Sequence, residues 1–324
     1  MRYLRWLILL ALIGLAIWRI YPHFSELPDF IKIAKKVNLV FLFLAILSQI
    51  GQYIGDGWLS QLALKIVGVR INFRKTLEIA SIDVFAAHTL PVGEAGVIAT
   101  TYYFYKKLGV DNQSLIFLTI FWSLSTGIAL VILLVISLIF MPKIPYFSFR
   151  PSQPTLYLII FLSLLGLFLV LSRKTLWPKI EKFLTRFAPT KEILKFAQNL
   201  QEHKATIVRH KRLSFEAVVA GFIYYLSNIA TLTFCFLAFG QSPSLALITF
   251  AYFISLIAGW IALSPGGLGA TEATLILIFQ EFNIDPVLSL AIILAFSIIS
   301  FWLPIPAGAI SYFSLGREFK KKQA

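Results

Sequence analysis

The apolar residues of this chain come in long blocks separated by short polar ones. Six blocks are long enough to cross a bilayer as continuous helices: roughly 4–21, 38–62, 114–140, 155–172, 214–239 and 286–313. At about 1.5 Å per residue, some 20 apolar residues cover the hydrocarbon core. No water is available there to satisfy backbone polar groups, so a crossing segment of this kind is a helix. Two further apolar stretches are interrupted. One runs from about 77 to 105 and breaks at Leu90-Pro91-Val92-Gly93; the other runs from about 244 to 282 and breaks at Ser264-Pro265-Gly266-Gly267-Leu268-Gly269. Proline lacks a backbone donor and glycine disfavours helix, so each break ends one helix and starts another. The distal arms, 94–106 and 271–282, fall short of the roughly 17 residues that a span needs. Each stretch is therefore expected to be a re-entrant hairpin that returns to its own side, although a pair of full spans would leave the downstream orientation unchanged.

The predicted fold is all-α: a polytopic membrane helix bundle of six full spans plus two broken hairpins. It forms one integral membrane domain over 1–324, with an N-terminal half (1–172), a basic loop (173–213) and a C-terminal half (214–324). Composition agrees. Apolar residues make up 58% of the 324, charged residues 14%, and the mean hydropathy is +0.82, against about 25% charged in a soluble domain. The net charge of +14 could suggest a nucleic-acid partner, but in so apolar a chain the positive-inside rule explains it better. With the N-terminus inside, the cytoplasmic segments hold Arg2 and Arg5, four basic residues from Lys65 to Lys75, Lys106 and Lys107, eleven from Arg173 to Arg212, and four from Arg317 to Lys322. These are 23 of the 29 Lys and Arg residues. Both termini are thus expected in the cytoplasm of a multi-pass cell-membrane protein.

Arg2 and Arg5 before the apolar run Trp6–Trp18 resemble a secretory signal, but Trp18-Arg19-Ile20-Tyr21-Pro22 offers no small-residue cleavage site. The run reads as a retained first span. In the basic loop, Leu176, Ile180, Phe183, Leu184 and Phe187 recur at helical spacing with Lys179, Lys182 and Arg186 between them. That pattern predicts an amphipathic helix on anionic lipids of the inner leaflet, ended by Pro189 and followed by a more polar helix over 190–210. A solvated linker helix is the alternative. The lone Cys235 excludes an intrachain disulfide.

In this topology the first hairpin enters from the cytoplasm and the second from outside, so their breaks point at each other. Ten-residue segments starting at Pro91 and Pro265 match in Pro, Gly, Ala and Thr, at four positions. With the opposed topology, this suggests an inverted repeat, a span, a hairpin and a span in each half. Paired Gly/Pro-interrupted segments point to a transport site near the midplane. A helix that starts inside the membrane presents unpaired N–H groups and a positive dipole end, which suit a phosphate or carboxylate, and glycines let a ligand approach the backbone. The candidate binding residues are Pro91, Gly93, Glu94 and Gly96 in the first break and Pro265, Gly266, Gly267, Gly269, Thr271 and Glu272 in the second. Proline and glycine could also serve only to make tight hairpins.

Membrane-embedded ionisable groups are expensive and usually face a cavity or a partner. Asp56, Asp83 and His88 are candidates for a proton or polar relay. Glu94 and Glu272 lie in the first helical turn after a break, where a carboxylate either caps the helix or acts as a gate. Asp83 and His88, five residues apart, lie on different helical faces, so a shared metal site is not expected. His88 also fits a hydrogen-bonded core histidine, and Asp56, within Gly51-Gln-Tyr-Ile-Gly55-Asp56-Gly57, also fits a carboxylate held by close helix packing.

These residues resemble the lysylphosphatidylglycerol synthase transmembrane region family, also called flippase-like. The resemblance rests on Leu90-Pro91-Val-Gly93-Glu94-Ala-Gly96, an aromatic helix and Lys106-Lys107-Leu-Gly109. It rests more firmly on Ser264-Pro265-Gly266-Gly267-Leu268-Gly269-Ala-Thr-Glu272-Ala273 and a following span ending Phe301-Trp302-Leu303-Pro304. It covers about 5–315. It implies a core of broken helices that binds polar lipids and, in characterised relatives, moves them between leaflets. The aminoacyltransferase domain of the lipid-aminoacylating relatives is not expected in this chain. Relatives often carry arginines where this sequence has Thr100-Thr101, Thr271 and Ala295-Phe296-Ser297. Arginine gives bidentate phosphate contacts, so either the substrate is less anionic here or backbone donors suffice.

The expected function is flippase-like transport of a polar or anionic lipid, or a lipid-linked molecule, between leaflets. The expected partners are membrane lipids, with no nucleic acid, and a homo-oligomer is compatible with the sequence. No cofactor or metal is expected. Two alternatives are a non-transporting scaffold that recruits a partner through 173–213, and an intramembrane lipid-modifying enzyme. Against the enzyme, the sequence shows no Asp-rich diphosphate motif, no Ser-His pair and no metal-ligand cluster.

Overall fold

The computed structural model describes residues 36–90, 94–141, 203–262 and 265–323. The expected spans 4–21 and 155–172 and the amphipathic stretch 176–187 lie outside them. Every regular element among the described residues is a helix. In chain order these are α1 Leu39–Ile66, α2 Phe73–Thr89, α3 Glu94–Lys107, α4 Asn112–Ile139, α5 Lys211–Ala238, α6 Leu245–Ala262, α7 Ala270–Glu281, α8 Pro286–Ser297 and α9 Pro304–Gln323. A single 3₁₀ turn, Pro265–Gly267, lies in the second break, and a π-turn, Ile298–Trp302, joins α8 to α9. Residues 203–209 are also helical. Among the described residues, four stretches are long and apolar enough to cross a membrane: α1, α4, α5 and Pro286–Phe319. The two interrupted stretches become α2–α3 and α6–α7, with arms close to those expected.

Helix starts follow from side-chain caps. Asn38, Asn72, Asp111 and Asp285 each accept a hydrogen bond from a first-turn N–H: Val40, Arg74, Ser114 and Leu288 respectively. Such caps satisfy donors that no intrahelical carbonyl can reach. The last expected span is long and apolar enough to cross, but it is interrupted. It is not one continuous α-helix, because Pro304 has no N–H for the Ser300 carbonyl. Instead the preceding Leu303 N–H reaches back five residues to the Ile298 carbonyl, at 2.9 Å.

The most extensive pairing is between α1 and α5, one from each half. They run antiparallel. The Asn38 N–H donates to the Ala238 carbonyl at 2.8 Å, Thr231 Oγ1 donates to the Ala45 carbonyl at 3.3 Å, and Gly55 faces Ala220 and Tyr224. Glycines make this approach possible. Gly51 lies against Ser227, and a Cβ on Gly55 would sit 2.7 Å from the Tyr224 nitrogen and 2.8 Å from the Ala220 carbonyl oxygen. Without a hydrophobic drive between helices in lipid, such close backbone packing is a main source of association. Two of the other pairings are reciprocal: α2 of the first hairpin packs on α9, and α6 of the second packs on α4.

Lys75 bridges to Glu318 and to Glu78, the latter at 2.9 Å, which aligns the N-terminus of α2 with the C-terminal part of α9. That end of the bundle collects Lys65, Arg74, Lys75, Lys211, Arg212 and Arg317. Large apolar side chains elsewhere point outward: Leu39, Val40, Phe43, Leu47, Ile50 and Ile54 on α1, and Ile310 and Phe313 on α9. An outward apolar face of that extent belongs in lipid rather than in water.

Candidate functional site

The second break is built by glycine. Gly266, Gly267 and Gly269 have φ of +57°, +74° and +87°, a region that L-residues with a Cβ rarely occupy. The turn folds tightly on α6: a Cβ on Gly267 would lie 2.7 Å from Thr271 Oγ1 and 3.0 Å from Gly259 Cα. Thr271 Oγ1 points to the Ser255 carbonyl at 3.5 Å. Thus Thr271 closes the hairpin. Pro265 opens the 3₁₀ turn, and its carbonyl accepts the Leu268 N–H at 3.1 Å.

Glu272 caps the start of α7. Its Oε2 accepts the Gly269 N–H at 2.6 Å, and its Oε1 accepts the Ser297 hydroxyl at 2.8 Å. One of the donors that an incoming anion could have used is therefore taken by the chain's own carboxylate. The hydrogen bond to Ser297 also ties the start of α7 to the end of α8, just before the π-turn.

The first break lies largely outside the described residues. Pro91 and Gly93 fall in the gap, and of Glu94 only its place at the start of α3 is described. Gly96 is buried, and its carbonyl accepts the Thr100 hydroxyl at 2.7 Å. Thr100 and Thr101 donate their hydroxyls to carbonyls four residues back.

The two breaks meet. His88, at the end of α2, stacks on Phe301 of the π-turn with ring centroids 4.3 Å apart and planes 22° apart. Its Nδ1 lies 3.0 Å from the Phe301 carbonyl oxygen. A carbonyl only accepts, so Nδ1 carries the proton in this contact. Gly266 fits against both rings; a Cβ there would lie 2.6 Å from His88 Cδ2 and from Phe301 Cε2. Residues of the first hairpin, the second hairpin and the last span thus share one contact. Thr89, Leu90, Leu268 and Gly269 are exposed beside it.

A second polar cluster lies between α1, α2, α3 and α4. Asp56 is 9% exposed, and its Oδ1 accepts the Trp122 indole N–H at 2.7 Å. Tyr105, 1% exposed, turns its hydroxyl toward Ser60 and lies in the field of Asp83 and Asp56. The structure therefore brings Asp56 and Asp83 into one neighbourhood and sends His88 to another. The flanking glycines explain how Asp56 gets there. Gly55 faces α5 and Gly57 faces α2 through Thr76 and Leu77, so α1 is clasped on both sides while the carboxylate reaches α4. Among the described residues, no three His, Cys, Asp or Glu side chains converge as a metal site would require.

Trp122, Tyr105, Ser60, Ser297 and Phe301 were not singled out as site residues by the sequence. Trp122 and Tyr105 carry no local signal, because their partners lie on other helices. Phe301 and Ser297 did have one: both precede Pro304, which disturbs the helix they sit in.

The sequence model of the family described as "Lysylphosphatidylglycerol synthase TM region" matches residues 6–308. The chain belongs to this family. It is 25% identical over 309 residues to a UPF0104 membrane protein of Methanocaldococcus jannaschii, covering 92% of this chain and 91% of that protein. It is 24% identical over 324 residues to a UPF0104 membrane protein of Pyrococcus horikoshii, covering 93% and 95%. A UPF0104 membrane protein of Methanothermobacter thermautotrophicus is 29% identical over a shorter stretch of 119 residues. These family relationships agree with the outward apolar faces: the chain is an integral membrane protein with a helical core. The Pro-Gly-Gly-Leu-Gly turn and its capping Glu272, which carried the family resemblance, are the residues that build the second break.

Proposed function

We propose that the protein moves a polar or anionic lipid, or a lipid-linked molecule, between the two leaflets of a cell membrane. The observation that carries this reading is the meeting of two broken hairpins, one from each half of the chain, at His88 and Gly266. Hairpins that enter from opposite leaflets and meet at their breaks would hold a headgroup near the midplane while the tails stay in lipid. Reciprocal packing of α2 on α9 and α6 on α4 supports an inverted repeat, the architecture in which one half rocks against the other around a fixed site. On this reading both termini face the cytoplasm, the basic segment 173–213 sits on anionic inner-leaflet lipids, and no covalent chemistry takes place. The headgroup would contact the Gly266–Gly269 backbone and Thr271 at the second break, and Gly93, Glu94 and Gly96 at the first. The driving force would be an ion gradient or the lipid's own asymmetry.

The test is headgroup translocation in vesicles of phosphatidylcholine and phosphatidylglycerol containing the full chain and a fluorescent phosphatidylglycerol, read by quenching of the outer leaflet. Glu272→Gln, which weakens the cap, and Gly267→Leu, which places a side chain against Thr271 and Gly259, are expected to slow translocation in protein that still elutes as a single species. Wild-type protein no faster than empty vesicles across phosphatidylglycerol, phosphatidylethanolamine and isoprenoid-phosphate probes would end the proposal.

A further inference from the structure

The π-turn Ile298–Trp302 is gripped from both halves of the molecule. The first hairpin holds it through His88, which donates to the Phe301 carbonyl and stacks on the Phe301 ring. The second hairpin holds its leading edge through Glu272, which accepts from Ser297, and its face through the Gly266 backbone, pressed against His88 and Phe301. Beyond the turn, α9 is zipped along α2: Gly308 packs on Ser81 and Phe85, Tyr312 on Phe85, and Glu318 bridges to Lys75.

A π-turn is a helix segment with one residue too many for regular α bonding, and it has two accessible hydrogen-bond registers. Here Pro304 removes the N–H that would favour the α register for Ser300, and Pro306 does the same for Trp302. The base of the turn packs on α1 and α5, with Ile299 in the apolar core, and the contacts that the two hairpins make hold its tip. Those contacts are few and local: one hydrogen bond to a carbonyl, one ring stack, one backbone face with no side chain, and one hydroxyl–carboxylate bond. The α2–α9 zipper continues for three further helical turns. A rigid-body motion of one half against the other would therefore part the tip first and could leave the zipper closed.

We propose that His88, the Gly266 backbone and Phe301 form a latch that holds the two hairpins closed on the π-turn, and that this latch parts and re-forms in each transport cycle. The inference rests on the transport reading of the preceding section and adds the moving element to it. Gly266 is then required twice: for its left-handed backbone, and because any Cβ would hold the latch open. His88 is required as a donor at Nδ1 and as a flat ring.

Two measurements test the latch. The first is amide hydrogen exchange over 298–303 in wild type, His88→Ala and His88→Asn. Losing one hydrogen bond and one ring stack is expected to raise exchange about tenfold in His88→Ala. Asparagine keeps a donor near the Nδ1 position, so His88→Asn should fall between the two. Exchange in His88→Ala equal to wild type would overturn the latch. The second places cysteines at 88 and 301 in a Cys235→Ser background and bridges them with a short reducible bifunctional thiol reagent. Fluorescent phosphatidylglycerol translocation should fall to the empty-vesicle level on bridging and return on reduction to the rate measured before bridging. Translocation undiminished in fully bridged protein would overturn the latch even if the transport reading holds. If wild type moves no lipid, the transport reading fails, and the exchange measurement alone decides whether the latch exists.

Discussion

The α1–α5 pairing makes a sharp prediction, because the same chemical change should have opposite effects at two glycines. Gly55 and Gly127 both sit inside 28-residue helices, α1 and α4. A Cβ on Gly55 would lie 2.7 Å from the Tyr224 nitrogen and 3.0 Å from Tyr224 Cα, while a Cβ on Gly127 would meet nothing within 4 Å. Ordinary contact needs about 3.5 Å or more, so alanine at 55 would push α5 away locally by about 0.8 Å. The obstacle is backbone, which cannot rotate aside, and overpacking of this kind costs about 1–3 kcal/mol. Against that stands the gain of about 0.5–1 kcal/mol that alanine brings to a helix interior. Gly127→Ala should therefore be neutral or stabilising by up to about 1 kcal/mol, and Gly55→Ala destabilising by about 1–2 kcal/mol net. The assay is the thermal midpoint of the detergent-solubilised full chain, followed by size-exclusion chromatography at each temperature. Equal midpoints for the two variants would refute the close approach of α1 and α5, and with it the packing that aligns the two halves.

Other consequences are directly measurable. Trp122→Phe removes the donor to Asp56 inside a buried cluster and should lower stability by about 1–3 kcal/mol; adding Asp56→Asn should recover part of the loss, and additive losses in the double variant would show that the two do not interact. Glu272→Ala deletes both the cap on Gly269 and the Ser297 contact, so it should cost about 1–2 kcal/mol and slow translocation more than Glu272→Gln; equal effects of the two would deny the cap its role. The Asp111 carboxyl is held below its ordinary range by the Ser114 hydroxyl and then the Ser114 backbone N–H. Its contribution is present above the ordinary carboxylate pKa and is lost as pH falls through the lowered value. Asp111→Asn keeps a cap that cannot titrate, so acid unfolding of this variant should be less steep than that of wild type in detergent, with identical curves counting against the cap.

The hydrophobic pattern determined what lipid imposes on each segment separately. It placed α1, α4 and α5 within a few residues, and both interrupted stretches with their breaks, because backbone satisfaction in an apolar medium is decided within one helix. The Pro-Gly-Gly-Leu-Gly run likewise announced its turn, since three of its positions need a left-handed backbone that only local chemistry supplies. Charge distribution grouped Lys65, Arg74, Lys75, Lys211, Arg212 and Arg317 on one side, and they do lie at one end of the bundle.

What the sequence left open is everything that depends on which helix faces which. Glu272 could be read as a cap or as a gate. The structure makes it a cap, and only the position of α8 reveals that the same carboxylate also holds Ser297. His88 and Asp83 were separable by helical phase, but nothing along the chain says that one reaches Phe301, 213 residues away, or that the other joins Tyr105 and Asp56. The glycines of Gly51-Gln-Tyr-Ile-Gly55 allow a close approach without naming the partner. The span 286–313 reads along the chain without its interruption; Pro304 removes the N–H that a regular helix would use there, and which residues pack on the resulting π-turn depends on hairpins from both halves. Local rules fix segments and turns; contacts between residues hundreds of positions apart depend on packing shape, and that exists only once the helices have met.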